Sequence, residues 1–251
     1  MSTRTPVYLH FYFGTVKEYR GNMYPTINLS ATTPSLKQRV YDCLLQQIVS
    51  GELPPGTHLM EAEIAQAMCI SRAPIREALN MLERDGFTRS IPHRGSEVAE
   101  VTMQNVHEFW EARYVLEPYM AMTSFQAIPK EHLQAVAETL DELEKCPEQY
   151  DKFMESDTEV HEMLFTYHTN EYLKGVIRKL HAHSQRMRWI TDRQQNSPED
   201  CLISIHEHQE IVRALLAGEP DWIYHTVQTH QIKSQQRLLQ AIAANESNQD
   251  A

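Results

Sequence analysis

No run of apolar residues in this 251-residue chain approaches the ~20 needed to cross a bilayer. The N-terminus shows no apolar signal-peptide core followed by a small-residue cleavage site. Cysteine is sparse. Cys43, Cys69, Cys146 and Cys201 are scattered with no C-x-x-C pair, the pattern of reduced thiols rather than of a disulfide framework. No Gly-rich phosphate loop, nucleophile motif or internal repeat stands out. These absences lead to the expectation of a cytoplasmic protein with no membrane partner, of one large or two modest domains.

An excess of positive charge is also lacking. The net charge is −11, the wrong sign for a nucleic-acid binder taken as a whole. The charge is uneven, however. Residues 35–100 carry seven basic and nine acidic side chains, whereas residues 101–251 carry thirteen and twenty-four. Five of those seven basic residues fall between Arg72 and Arg94. The acidity belongs to the C-terminal half, and the local field near Arg72–Arg94 can still favour phosphate. Binding to non-specific DNA should be weak, leaving specificity to base contacts and dimerisation.

The stretch Glu61–Gly95 reads as a short helix, a tight turn, a longer helix and a small β-hairpin. Ile64, Ala65, Met68 and Ile70 give the first helix and its turn an apolar side. Ser71 is a good N-cap for the second helix, and Pro74 is tolerated there because first-turn amides have no intrahelical partner. Ile75, Ala78, Leu79 and Leu82 repeat at helical spacing. Arg72 and Arg76, four apart and off that stripe, are placed where a helix-turn-helix reader offers side chains to a major groove. His93 and Arg94 would sit at the hairpin tip. A helix-turn-helix followed by such a hairpin is a winged helix, whose default ligand is double-stranded DNA.

The pattern L-x3-I-V-x-G-x-L-x-P-G-x-x-L, then S-R-x-P-I-R-E-A-L-x-x-L-x-x-D-G-F, then R-G-S-x-V resembles the DNA-binding domain of the GntR family of bacterial transcription regulators. The match runs without gaps from Ser35 to Val101. The resemblance implies that Arg72 and Arg76 touch the operator, with Pro74 positioning them, and that the wing tip around Gly95 enters the minor groove. One departure is Ala62, where several relatives carry a further DNA-contacting arginine.

In chain order, residues 1–34 are a turn-rich tail, an arm on the body, or sequence upstream of the natural start. Residues 35–101 form the winged helix-turn-helix, beginning with a helix that places Leu36, Val40, Leu44 and Ile48 on one face. Beyond Val101 there are only amphipathic helical segments, at roughly 102–127, 130–145, 148–168, 170–194, 198–217 and 219–244. The expected fold is therefore mainly α, a winged helix-turn-helix followed by an all-α bundle of about six helices over 102–245, with 246–251 a polar tail. This second part resembles the FCD domain of the FadR-like branch, in its VanR-like subgroup. That resemblance implies small-molecule sensing and homodimerisation.

Within the helical part, Asp157 and His161 share one helix face with Phe153 and Leu164. His208 interrupts the stripe Cys201, Ile205, Val212, Leu215, and His230 interrupts Ile223, Val227, Leu238. A single inward histidine is usually a hydrogen-bonded core residue. Three of them with an aspartate on three helices are as well explained by a shared metal as by the core. The FCD resemblance tips the balance, because many members bind a divalent ion through Asp-x3-His and one histidine on each of two later helices, the positions of Asp157, His161, His208 and His230. The 22-residue step from His208 to His230 fits. Zinc or nickel is the expected ion.

Arg113 lies in the stripe Val106, Phe109, Leu116, Met120, so its guanidinium should point inward, either to an effector carboxylate or to an acid within the protein. His183 is expected to line the effector pocket. His168 is assigned to core or surface, and His181, His206 and His225 to solvent. The whole reads as a metabolite-responsive regulator, most often a repressor, bound to a palindromic operator as a homodimer. Two alternatives compete with it: a hydrolase-like metalloenzyme carrying an accessory winged helix, and a ligand-independent DNA binder with a structural metal.

Overall fold

The computed structural model describes residues 35–92, 94–195 and 197–249, and the side chains of these other than 189–195 and 244–249. The expectations for residues 1–34, for His93 at the wing tip and for the last two residues fall outside them. The chain divides into two compact units, Met1–Val101 and Thr102–Ala251.

In the first unit α1 (Leu36–Val49) buries Val40, Tyr41, Leu44 and Ile48 against α3 (Arg72–Arg84), which buries Ile75, Ala78, Leu79 and Leu82. Both stripes follow the helical repeat, so each helix has one dry side. The Tyr41 hydroxyl donates to Asp85 Oδ2 at 2.8 Å, tying α1 to the end of α3. Between them, α2 (Glu61–Met68) ends at Cys69, a left-handed residue (φ 56°) that makes the helix-turn-helix corner. Ser71 occupies the position before α3 in an extended conformation, but its side chain makes no capping bond, contrary to expectation.

The wing is a three-stranded antiparallel sheet in the order β1–β3–β2, one strand more than the sequence suggested. β1 (His58–Leu59) is only two residues long and pairs with β3 (Gly95–Val98), which also pairs with β2 (Thr88–Ile91). Across this sheet, Arg89 donates to Glu97 at 2.9 Å from Nε. Gly95 has φ +85°, and a Cβ there would come within 3.3 Å of the Leu59 carbonyl, so any other residue here strains the backbone and crowds β1.

Among the described residues the second unit holds six α-helices: α4 (Met103–Ser124), α5 (Lys130–Lys145), α6 (Tyr150–Thr166), α7 (Glu171–Gln195), α8 (Pro198–Ala217) and α9 (Pro220–Gln249). Thr102 caps α4 and Ser197 caps α8, each in a reciprocal capping box with Asn105 and Asp200 respectively. α9 runs on to Gln249, into residues expected to be a tail. α4 packs against α6, α7 and α9, and α8 packs against α5, α6 and α9. The main core joins Leu133, Leu140, Val160, Leu164, Ile205 and Val227, among others. No helix among the described residues is long and apolar enough to cross a membrane.

Candidate metal centre and nucleic-acid interface

α3 presents Arg72 and Arg76 to solvent one helical turn apart, while Ile75, between them in sequence, is buried. Arg76 is held by Glu61 at the start of α2 through two bonds of 2.8 Å, from Nε and one terminal nitrogen. The bonded guanidinium keeps the Glu61 carboxyl below its ordinary range. Pro74 sits in the first turn of α3, where its missing amide costs nothing. Arg94 and Gly95 are exposed at the turn of the wing.

In the helical unit, His161 on α6, His208 on α8 and His230 on α9 are all buried, and one ring nitrogen from each lies within 4.8 Å of the others. Two metal–nitrogen bonds of ~2.1 Å span at most ~4.2 Å, so the imidazoles need only a small contraction to share an ion. The ring centroids of His208 and His230 are 4.7 Å apart, and those of His161 and His230 are 5.0 Å apart. Nε2 of His230 lies 3.2 Å from Nε2 of His161.

His208 shows most directly that these residues suit a cation. It is fully buried, yet neither ring nitrogen has a hydrogen-bond partner. Leaving a buried polar group unbonded costs about 1–3 kcal/mol, which a ligand bond would offset. Burial, together with the neighbouring His230, drives its pKa well below the ordinary value, so the ring is neutral, as a metal ligand must be. Burial likewise lowers His230 to about 4.

Asp157 stands at the edge of this triad. Its Oδ1 is 3.7 Å from His208 Nε2, while the other oxygen is ion-paired with Arg188 of α7. Burial is the largest single influence and would raise its pKa, but Arg188, His161 and His208 together outweigh it and hold the carboxyl ionised. A fourth ligand is thus in reach, in competition with an arginine that the sequence did not flag.

Two carboxylates outside the expected set of site residues back the histidines. Glu207 Oε2 accepts from His230 Nδ1 at 2.8 Å and is itself gripped by Arg237 through two bonds of 2.8 Å. The adjacent position on α8 turns by about 100° away from His208, and that turn aims Glu207 at α9. Glu117 on α4 is completely buried, with Oε2 3.2 Å from His161 Nδ1 and Oε1 2.5 Å from Arg113 Nε. Burial, the largest single influence, opposes its ionisation, but Arg113, His161 and His181 together prevail and the pKa falls. The legible signal was the Arg113–Glu117 spacing of four.

Arg113 therefore points inward. Of the two partners left open for it, the acid within the domain is present: Glu117, with Ser184 Oγ at 2.8 Å and the Trp110 ring 5.1 Å beneath. His183 is buried and stacks on Phe109 at 4.0 Å between centroids. His181, expected in solvent, is 5% exposed and forms a second cluster with Glu117 and His161. It leaves the apolar stripe of α7, but α7 is covered on several sides by α4, α6 and α9. His206 and His225 are exposed.

Known proteins bear the same organisation. The family described as bacterial regulatory proteins, gntR family, matches residues 36–98, and the FCD domain matches residues 108–233, just over half the chain. The HTH-type transcriptional repressor RspR of Escherichia coli K12 is 28% identical over 204 residues, covering 80% of this chain and 88% of its own length. The uncharacterised HTH-type regulator YdfH of E. coli O6:H1 is 28% identical over 200 residues, covering 79% of this chain and 86% of its own. The solved structure of E. coli McbR/YncC has the same fold, with a TM-score of 0.70 at 21% identity over 83% of this chain and 99% of that one. The chain belongs to the GntR family of bacterial regulatory proteins: it is a transcriptional regulator with an FCD domain, not an enzyme.

Proposed function

We propose that this regulator is a repressor that binds a palindromic operator as a homodimer, and that a small carboxylic acid meeting a divalent metal in the FCD domain sets its DNA affinity. The observation that carries the reading is the convergence of His161, His208 and His230 from three helices, with both nitrogens of buried His208 unspent. Zinc or nickel suits three neutral imidazoles and one carboxylate. Once bound, the ion supplies positive charge and open coordination positions that a carboxylate can fill. Asp157 and the three histidines hold it, and Arg113 and His183 border the effector. The repressor named RspR, similar over most of both chains, supports the sign of regulation.

On the DNA side, Arg72 and Arg76 read base edges, Pro74 shapes the start of α3, and Arg94 and Gly95 contact DNA from the turn of the wing. A two-fold dimer would set recognition helices about 34 Å apart along the duplex, or less on overtwisted DNA. An effector changes DNA affinity only by binding the DNA-competent and incompetent states unequally.

An exposed face fits the second copy. α4 and α7 run antiparallel, since Phe109 early in α4 stacks on His183 midway along α7, whereas Tyr119, later in α4, lies 6.4 Å from His168 just before α7. Leu116 and Met120 of α4 pack with Leu173 and Ile177 of α7. In an antiparallel pair, the residues one position earlier on both helices emerge on the same side, and these are Val115, Tyr119, Tyr172 and Val176, all exposed.

Elemental analysis of the purified protein and of the His208→Ala/His230→Ala double variant tests the metal. A stoichiometric ion in the wild type, absent from the variant, together with loss of response to a panel of metabolic acids, is the expected result. An ion that survives the double replacement would place the site elsewhere. A variant that keeps its response to an acid while lacking the ion would separate sensing from metal.

A further inference from the structure

The ring nitrogens facing away from the centre of the histidine triad do not have equivalent partners. His230 Nδ1 meets one group, the Glu207 carboxylate at 2.8 Å, and an ionised carboxylate only accepts. His230 therefore carries its proton on Nδ1 and turns a lone pair on Nε2 toward His161. His161 Nδ1 lies between two side chains of α4: Glu117 Oε2 at 3.2 Å, which accepts, and a terminal nitrogen of Arg113 at 3.4 Å, which can only donate. The two Nε2 atoms are 3.2 Å apart, so two lone pairs facing each other there would repel. Either a proton or a cation must lie between them.

With a single proton on a neutral ring, His161 is the Nε2–H tautomer. It donates to His230, and its Nδ1 lone pair accepts from Arg113. With a cation, both Nε2 lone pairs are needed as ligands, so the His161 proton must sit on Nδ1 and bond to Glu117. Each tautomer of His161 thus has its own partner on α4, four residues apart, while His230 has one partner for both states. Gln231 Nε2 also donates to Glu117 Oε2, at 2.5 Å, which keeps that oxygen bonded in either case.

We propose that His161 is a tautomer switch that exchanges Arg113 for Glu117 on α4 when a divalent cation enters, and that Glu207 is the positioning residue that keeps His230 in its ligand form. The proposal rests on the metal reading above. The switch relocates one proton from Nε2 to Nδ1 of the same ring with no net gain or loss, the transfer passing through a neighbouring acid–base group or water because the two ring nitrogens cannot exchange it directly. It passes the arrival of the cation directly to α4, the helix that begins five residues after strand β3 of the DNA-binding unit. Carboxylate–histidine pairs of this kind typically change metal affinity 10–100-fold when the carboxylate is removed.

The test uses full-length protein labelled with ¹⁵N in histidine, chelator-treated and then titrated with zinc. Long-range ¹H–¹⁵N correlation spectra report which nitrogen of each ring carries the proton, and competition with a chromophoric chelator gives zinc affinity. His230 should show Nδ1–H throughout, and His161 should change from Nε2–H to Nδ1–H as zinc is added. Glu207→Leu should weaken zinc roughly 10–100-fold and mix the His230 tautomers. Glu207→Gln, whose amide oxygen still accepts, should recover most of both. Glu117→Gln should weaken zinc while leaving the zinc-free tautomer of His161 unchanged. A wild type that binds zinc with no change at His161 overturns the switch, and equal zinc affinity in Glu207→Leu overturns the positioning role. A wild type that takes up no zinc overturns the metal reading itself.

Discussion

Arg113 and Glu117 stand one turn apart on α4 with 1% and 0% of their side chains exposed, and the guanidinium Nε lies 2.5 Å from the carboxylate. Taking both ions out of water costs several kcal/mol each, which is offset only where their remaining polar atoms are bonded. Ser184, Gln231 and His161 supply those bonds. Arg113→Met leaves Glu117 charged and buried, and should cost about 3–5 kcal/mol of FCD-domain stability. The double variant Arg113→Met/Glu117→Leu should cost clearly less than the two single losses added, in urea melts arranged as a double-mutant cycle. Strict additivity would show that the pair is not coupled.

On the DNA face, Arg72→Ala and Arg76→Ala should each weaken binding to a selected site by about 1–3 kcal/mol if they read bases. Pro74→Ala should matter less, since proline contributes shape and no donor. The site can be selected from random duplexes with the wild type and affinities then read by fluorescence anisotropy at fixed salt, because phosphate contacts make every such affinity salt-dependent. Unchanged affinity in the double arginine variant, with folding intact, would remove α3 from the reading role.

Val115 and Val176 are 58% and 48% exposed on one side of the α4–α7 pair, more than an apolar side chain gains from in water. A charge at either position should oppose self-association. Val115→Glu and Val176→Glu are expected to run as monomers in light-scattering chromatography at concentrations where the wild type is a dimer. A dimer that persists in both variants would move the interface elsewhere.

Cys43 on α1 gives the DNA-binding unit an alkaline limit. Burial, with smaller contributions from Glu52 and Asp42, pushes the thiol up to about 12. In the unfolded chain it titrates near 8.5. Between those values the folded state holds a proton that the unfolded state has lost, so the stabilisation is complete below about 8.5 and declines as pH rises, by up to about 1.4 kcal/mol per pH unit. Denaturation midpoints should fall more steeply between pH 8 and pH 10 for the wild type than for Cys43→Ala. Parallel slopes would mean that the folded thiol titrates normally.

What the sequence determined by itself was periodicity and direction. The stripes of α1 and α3, the exposed spacing of Arg72 and Arg76, and the inward azimuths of His161, His208 and His230 all follow from the 3.6-residue repeat, which acts within one helix. The tertiary structure decided what each direction meets. Glu207 points away from its neighbour His208, and only the position of α9 makes that direction lead to His230. His181 lies off the apolar stripe of α7, yet is buried because helices cover α7 on several sides. The two residues of β1 carry too short a pattern to read, and become a strand only because β3 lies beside them with a glycine at its start. An azimuth is a property of the local backbone, whereas a hydrogen-bond partner 23 or 44 residues away exists only after the helices have packed.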